Sequence, residues 1–297
     1  MADFRYTSFA VAGAGPTIGL RIVKALLARN ASVLILTRLS RSAASPAPSA
    51  TPQTHPSGAQ VASVDYTDIA SVSSVLRAHN VQVVVSAFSF GGLEAQRPLA
   101  DAAKEAGVTL FVPSEYGMVT EGGKEGHLII KSLFAEYLKS INLPSTRVYN
   151  GMLMEFVPWL AGVPQIGKFL IAGKGDKPAS FTSLEDVSGF VAHVLTTLSP
   201  SALHDKSFRI QGERTTLNAI GALYASANKA SVEYVDKLPD DQGDFTKQAF
   251  LQGNFEAGKV STGWDNVAAE DNVERASSAN ALWEGHHWIS VKEALGL

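Results

Sequence analysis

The 297-residue chain is 45% hydrophobic and 18% charged, with a net charge of −3, a globular composition without the basic footprint of a nucleic-acid binder. It contains no cysteine, which excludes disulfides, thiol nucleophiles and thiolate metal sites. No apolar run reaches membrane-spanning length, and Met1-Ala-Asp-Phe-Arg-Tyr6 has no basic region ahead of an apolar stretch, so a cytoplasmic protein without membrane partners is expected.

The first element sets the theme. Phe9 to Ala12 is a short apolar strand, followed by Gly13-Ala14-Gly15-Pro16-Thr17-Ile18-Gly19 and a helix over Ile18 to Asn30. A glycine turn feeding a helix N-terminus exposes backbone N–H groups beside the positive end of the helix dipole, the arrangement that binds a dinucleotide pyrophosphate. The spacing is G-x-G-x-x-x-G, one residue longer than the usual G-x-G-x-x-G.

Strands are expected at Val33–Leu36, Val61–Val64, Val81–Val85 and Leu110–Val112, and helices at Ile69–His79 and Glu94–Ala106. Four prolines among Ser, Ala and Thr mark residues 40–60 as a long loop. A helix over Lys124–Ile141 and a strand within Ser145–Asn150 complete the pattern, and a helix at Leu184–Leu198 follows. The alternation implies an α/β fold: a doubly wound parallel Rossmann sheet with a smaller C-terminal substrate-binding region. We expect a cofactor-binding domain over residues 1–150 and a smaller region over 151–297, interleaved with the sheet and serving the carboxyl ends of the strands.

An NAD-binding unit places an acidic residue about 20 residues after the glycine turn to hold the ribose hydroxyls. From Phe4 to Val64 this sequence has none, and its second strand instead runs into Arg38 and Arg41. Guanidinium groups suit the 2′-phosphate of NADP(H), although arginines flanking a loop are also ordinary surface charge. Asp65 and Tyr66, and Ser86, Ala87, Phe88 and Ser89, follow the third and fourth strands; they flank the cofactor or simply cap turns.

On the helix expected at 124–141, the apolar arc comprises Ile130, Leu133, Phe134, Tyr137, Leu138 and Ile141, which puts Lys131 roughly 90° from its centre. Such a lysine either serves as a proton donor beside a nicotinamide ribose or snorkels into water. His127, one turn earlier, occupies the position where short-chain dehydrogenases carry tyrosine; it is a proton donor, a substrate contact or a packed residue. Tyr116 is followed four residues later by Thr120, so it does not restore the Tyr–Lys pair.

Gly13–Gly19, Val64-Asp-Tyr-Thr-Asp68, Ala102–Val108, Phe111-Val-Pro-Ser-Glu-Tyr-Gly117, Lys131, Thr146–Gly151 and Ser180–Val187 occur in an order that resembles the isoflavone reductase-like, NmrA-like branch of the atypical short-chain dehydrogenases, most closely its fungal members. The resemblance runs from the amino terminus to about Val235. It implies NADPH as cofactor, Arg38 at the 2′-phosphate, Tyr149, Asn150, Gly151 and Met152 along the nicotinamide, and Lys131 as general acid or base. It implies reduction of a small apolar substrate, aromatic or of secondary metabolism. The family also contains dinucleotide-binding redox sensors without turnover, which stand as the alternative. The oligomeric state stays open. His286 and His287 near the carboxyl terminus lack the ligand spacing of a metal site.

Overall fold

The computed structural model describes residues 5–39, 55–124, 128–239 and 244–297. Five short, apolar strands form one parallel sheet: β1 (Ser8–Ala12), β2 (Ser32–Arg38), β3 (Gln60–Val64), β4 (Val83–Ser86) and β5 (Leu110–Val112), in the order β3-β2-β1-β4-β5. In register, Val11 lies between Ile35 and Val85. The switch in strand order falls at β1, where the chain runs outward to β2 on one side and to β4 on the other, the crevice in which doubly wound folds hold ligands.

Helices α1 (Ile18–Ala28), α2 (Ile69–Ala78) and α3 (Gln96–Ala106) connect these strands. Each turns an apolar stripe inward: Ile22, Val23 and Leu26 of α1 and Val72 and Leu76 of α2 are fully buried. The expected α3 begins instead as a tighter 3₁₀ turn over Phe90–Ala95, where Gly91 and Gly92 weaken α-helix formation. Helix α4 (Ile129–Ser140) starts later than the sequence suggests, because a turn at Gly122, with φ +70°, and Gly123 precedes it; Lys124 is not helical. Most of the proline-rich segment, together with Arg41 and His127, lies outside the described residues.

The buried face of α4 also differs from expectation. Ile130 and Leu133 are 47% and 60% exposed, whereas Phe134, Ala135 and Leu138 are buried. The apolar count missed Ala135, whose small side chain permits close packing. The inward stripe therefore runs through Ala135 and Leu138, and Lys131, four residues before Ala135, continues that stripe.

Two compact units emerge. The first contains Met1–Ser114, Leu133–Arg147 and Ser188–Ser207; the second contains Glu115–Ser132, Val148–Val187 and Phe208–Leu297. Within the first, Phe111 is fully buried and meets Phe134 edge-on at 5.7 Å. Phe111→Ala is expected to cost about 3–5 kcal/mol of stability, read from the shift of a urea unfolding curve. The second unit holds its own core, in which Met154, Phe169 and Phe181 are fully buried. Further strands are β6 (Thr146–Tyr149), β7 (Met152–Leu153), β8 (Lys168–Ala172) and β9 (Ala179–Thr182); a helix at Leu184–Thr197 follows. Among the described residues no helix is long and apolar enough to cross a membrane.

Candidate active site

In the first unit a cleft of about 430 Å³ opens over the carboxyl ends of β1, β2 and β4. Its lining includes Gly13, Ala14, Gly15, Pro16, Thr17, Arg38, Tyr66, Ala87, Phe88 and Ser89, all singled out in the sequence. Leu36, Thr37 and Gly92 also line it. The first two were legible as the end of the second strand; Gly92 lies on the unexpected 3₁₀ turn. Ile18 is absent from the lining, since its side chain is buried as α1 begins.

The three glycines have distinct tasks. Gly13 has φ +83°, and a Cβ there would stand 2.7 Å from the Ala87 carbonyl oxygen. A Cβ on Gly19 would lie 2.2 Å from the Gly13 carbonyl oxygen and 2.9 Å from the Ala14 Cα, so the first turn of α1 packs directly on the turn that feeds it. The turn passes through Pro16 and Thr17 before α1 begins, and the close-packing glycine falls one residue later than in the usual spacing. At Gly15 a Cβ would meet nothing nearer than 4.0 Å. Backbone approach is thus open at Gly15, beside a helix start whose Thr17 makes no side-chain cap and whose first turn has no acidic residue. These are conditions under which a pyrophosphate fits.

The floor of the cleft is pinned by hydroxyls. Ser86 and Ser114 pair at 2.8 Å, the Phe88 N–H donates to the Ser114 hydroxyl at 2.9 Å, and the Ser114 N–H donates to Gln96 at 2.8 Å. Ser86 is fully buried, so it acts beneath the cleft. Tyr66 donates to the Leu36 carbonyl at 2.8 Å and meets Phe88 edge-on at 5.2 Å. Burial pushes its hydroxyl pKa up, opposed by Arg38. Arg38 is exposed at the end of β2 and also borders a neighbouring cavity of about 620 Å³, which Asp65 lines. Asp65 accepts from the Thr67 N–H at 3.0 Å and its hydroxyl at 2.7 Å, so it does cap its turn.

In the second unit Lys131 is half-buried and its Nζ donates to the Glu115 carbonyl at 2.5 Å. Burial lowers the pKa of its ammonium, with the Glu115 charge acting in the opposite direction. Tyr149, Asn150 and Met152 are buried in this unit. Asn150 and Gly151 both donate their N–H groups to the Gly117 carbonyl at 3.1 Å. Gly151 has φ +68°, and a Cβ there would lie 2.1 Å from the Ser180 carbonyl oxygen, so glycine is required by that protein contact. The Asn150 Oδ1 is buried without a hydrogen-bond partner, a feature that sequence gave no means of finding.

The two carboxyl-terminal histidines have protein partners. His286 donates to the fully buried Asp186 at 2.8 Å and stacks on Trp283 at 3.5 Å, while His287 lies 3.0 Å from Glu293. Among the described residues no cluster of three or more His, Asp or Glu has a metal-holding arrangement.

Comparison with known proteins agrees with this architecture. The chain is 28% identical over 226 residues to asnovolin J 5',6'-dehydrogenase nvfM of Aspergillus novofumigatus, covering 71% of this chain and 66% of that protein. It is 30% identical over 230 residues to oxidoreductase BOA1 of Botryotinia fuckeliana, covering 69% and 70%. The aligned stretches thus span about two thirds of these relatives' lengths. The solved structure of AtPrR2 with NADP+ and (+)pinoresinol superposes with a TM-score of 0.74 over 98% of both chains at 20% identity, which establishes a shared fold. The NmrA-like family pattern matches residues 7–282, and with the glycine turn, parallel sheet and strand order already in place, the chain belongs to the NmrA-like family.

Proposed function

We propose that this protein is an NADPH-dependent oxidoreductase that reduces a small apolar substrate, aromatic or of the secondary-metabolite type. The observation that carries the reading is Arg38 at the rim of the glycine-turn cleft, on a strand that ends without the carboxylate an NAD site uses. The fungal relatives are a dehydrogenase and an oxidoreductase by name, and AtPrR2 was solved with NADP+, which supports the same assignment.

Each group has a role in this reading. Gly13 to Thr17 and the start of α1 receive the pyrophosphate, Arg38 the 2′-phosphate, and Asp65, Tyr66 and Ala87 to Ser89 the adenosine and ribose portions. Tyr149 to Met152 flank the nicotinamide. When bound, NADPH supplies the hydride. Lys131 holds a ribose hydroxyl and delivers the proton to the substrate atom that gains negative charge; its burial-lowered pKa makes it a readier donor than a surface lysine. The apolar character of the substrate follows the family resemblance.

Arg38→Gln tests the carrying observation. Calorimetric titration is expected to show NADPH affinity falling about 10- to 100-fold while NADH affinity stays unchanged, since a charge-assisted contact is removed from the 2′-phosphate alone. Equal wild-type affinities for NADPH and NADH would sink the assignment.

A further inference from the structure

Within the second unit, Lys131 is tied to a buried acid. Glu115 is 2% exposed, an unusual burial for a carboxylate, and its two oxygens accept from the Thr120 hydroxyl at 3.0 and 3.1 Å. Thr120, 1% exposed, lies 3.1 Å from the Tyr149 hydroxyl, which is itself buried. The peptide carbonyl of the same Glu115 accepts the Lys131 ammonium. One residue therefore anchors the lysine through its backbone carbonyl and carries a buried carboxylate whose charge favours the protonated ammonium.

The backbone here is specialised as well. Tyr116, next in sequence, has φ +34°, a left-handed conformation rare for a bulky residue, and its N–H donates to the Val148 carbonyl at 3.2 Å. The Gly117 carbonyl takes the two N–H groups of Asn150 and Gly151. The loop that carries Glu115 is thus locked to the segment Val148–Gly151, and Glu115 is aimed by the backbone as well as by Thr120.

We propose that Glu115 is the positioning residue for Lys131, its carbonyl fixing the ammonium and its buried carboxylate, set by Thr120, supplying the counter-charge. The assignment rests on the reductase reading for its consequence in turnover, but the electrostatic hold is a property of the folded chain. Tyr116 and Tyr149 are phenols, and burial together with the Glu115 charge pushes the Tyr116 hydroxyl well above its ordinary pKa. Arg209, whose guanidinium lies 5.8 Å from the Tyr149 ring, is committed to Glu121 at 2.8 Å.

The direction of the effect is fixed by charge. An anion beside an ammonium favours the protonated lysine and burial disfavours it, so loss of the anion leaves burial unopposed and Lys131 titrates at lower pH. Glu115→Gln preserves shape and the backbone anchor while removing the charge. Carbon-detected lysine side-chain NMR, with Lys131 assigned by its loss in Lys131→Arg, reads the titration directly and requires no turnover.

In Glu115→Gln the Lys131 midpoint is expected to fall by about 0.5–1 pH unit, with Glu115→Asp returning it toward the wild-type value. Thr120→Val, which frees the carboxylate without removing it, is expected to give a smaller fall and carries the test if Glu115→Gln does not fold. An unchanged midpoint in folded Glu115→Gln overturns the proposal. If the reductase reading holds, the alkaline limb of the kcat profile moves to lower pH with the NMR midpoint. A moving midpoint in a protein that reduces nothing supports the hold of Glu115 on Lys131 and counts against the reductase reading alone.

Discussion

Gly19→Ala is expected to abolish measurable NADPH binding and to destabilise the first unit by about 3 kcal/mol or more. The added Cβ would fall 2.2 Å from the Gly13 carbonyl oxygen and 2.9 Å from the Ala14 Cα, and neither neighbour is a flexible side-chain end. Relief requires α1 to move off the turn, which also moves the N–H groups at its start. Gly15→Ala provides the contrast. Its Cβ meets no atom closer than 4.0 Å, so the fold should survive while the methyl group obstructs approach to the backbone. Thermal unfolding and calorimetric titration of both variants separate the two cases: Gly19→Ala loses stability and binding together, Gly15→Ala loses binding alone. Wild-type NADPH affinity in Gly19→Ala would refute this account of the turn.

The second large effect concerns Lys131. Lys131→Ala is expected to lower kcat by about 10²- to 10⁴-fold, the range for removal of a positioned general acid, while the protein stays folded. Stability should not fall in proportion. The folded-state pKa of Lys131 is depressed below its unfolded value, so the unfolded chain binds more protons between those two values and wild-type stability rises with pH across that window. Below the window the ammonium is charged in both states, and the folded protein bears the cost of its burial. Lys131→Met removes that cost but leaves the buried Glu115 carboxylate without its counter-charge, so its melting temperature at neutral pH is expected to fall by only a few degrees, far less than in proportion to kcat. Parallel loss of kcat and melting temperature would instead identify Lys131 as a structural residue.

The β1–β5 sheet was legible because parallel strands covered on both faces are written as short, continuous apolar runs, such as Val83-Val-Val85. The cleft followed from the same reading, since strand carboxyl ends and the glycine turn identify it without tertiary information. Helix α4 was less transparent. Ile130 and Leu133 are apolar yet exposed, and Ala135 is small yet buried, so counting large hydrophobic residues rotated the inward face away from Lys131. The relation between Glu115 and Lys131 was not legible at all. It joins residues 16 positions apart through a backbone carbonyl, a contact that leaves no mark on residue type. Likewise the close packing of the Ser180 carbonyl oxygen, supplied from β9, against Gly151 joins residues 29 positions apart through backbone and leaves no mark on residue type.

Hydride transfer itself is the decisive measurement. Wild-type protein incubated with NADPH deuterated at the transferable C4 position and a panel of enones, quinones and aryl ketones is predicted to yield, from at least one compound, a reduced product bearing one deuterium by mass spectrometry, with the yield collapsing in Lys131→Ala. Tight NADPH binding with no deuterium in any product would contradict the assignment of this protein as a reductase.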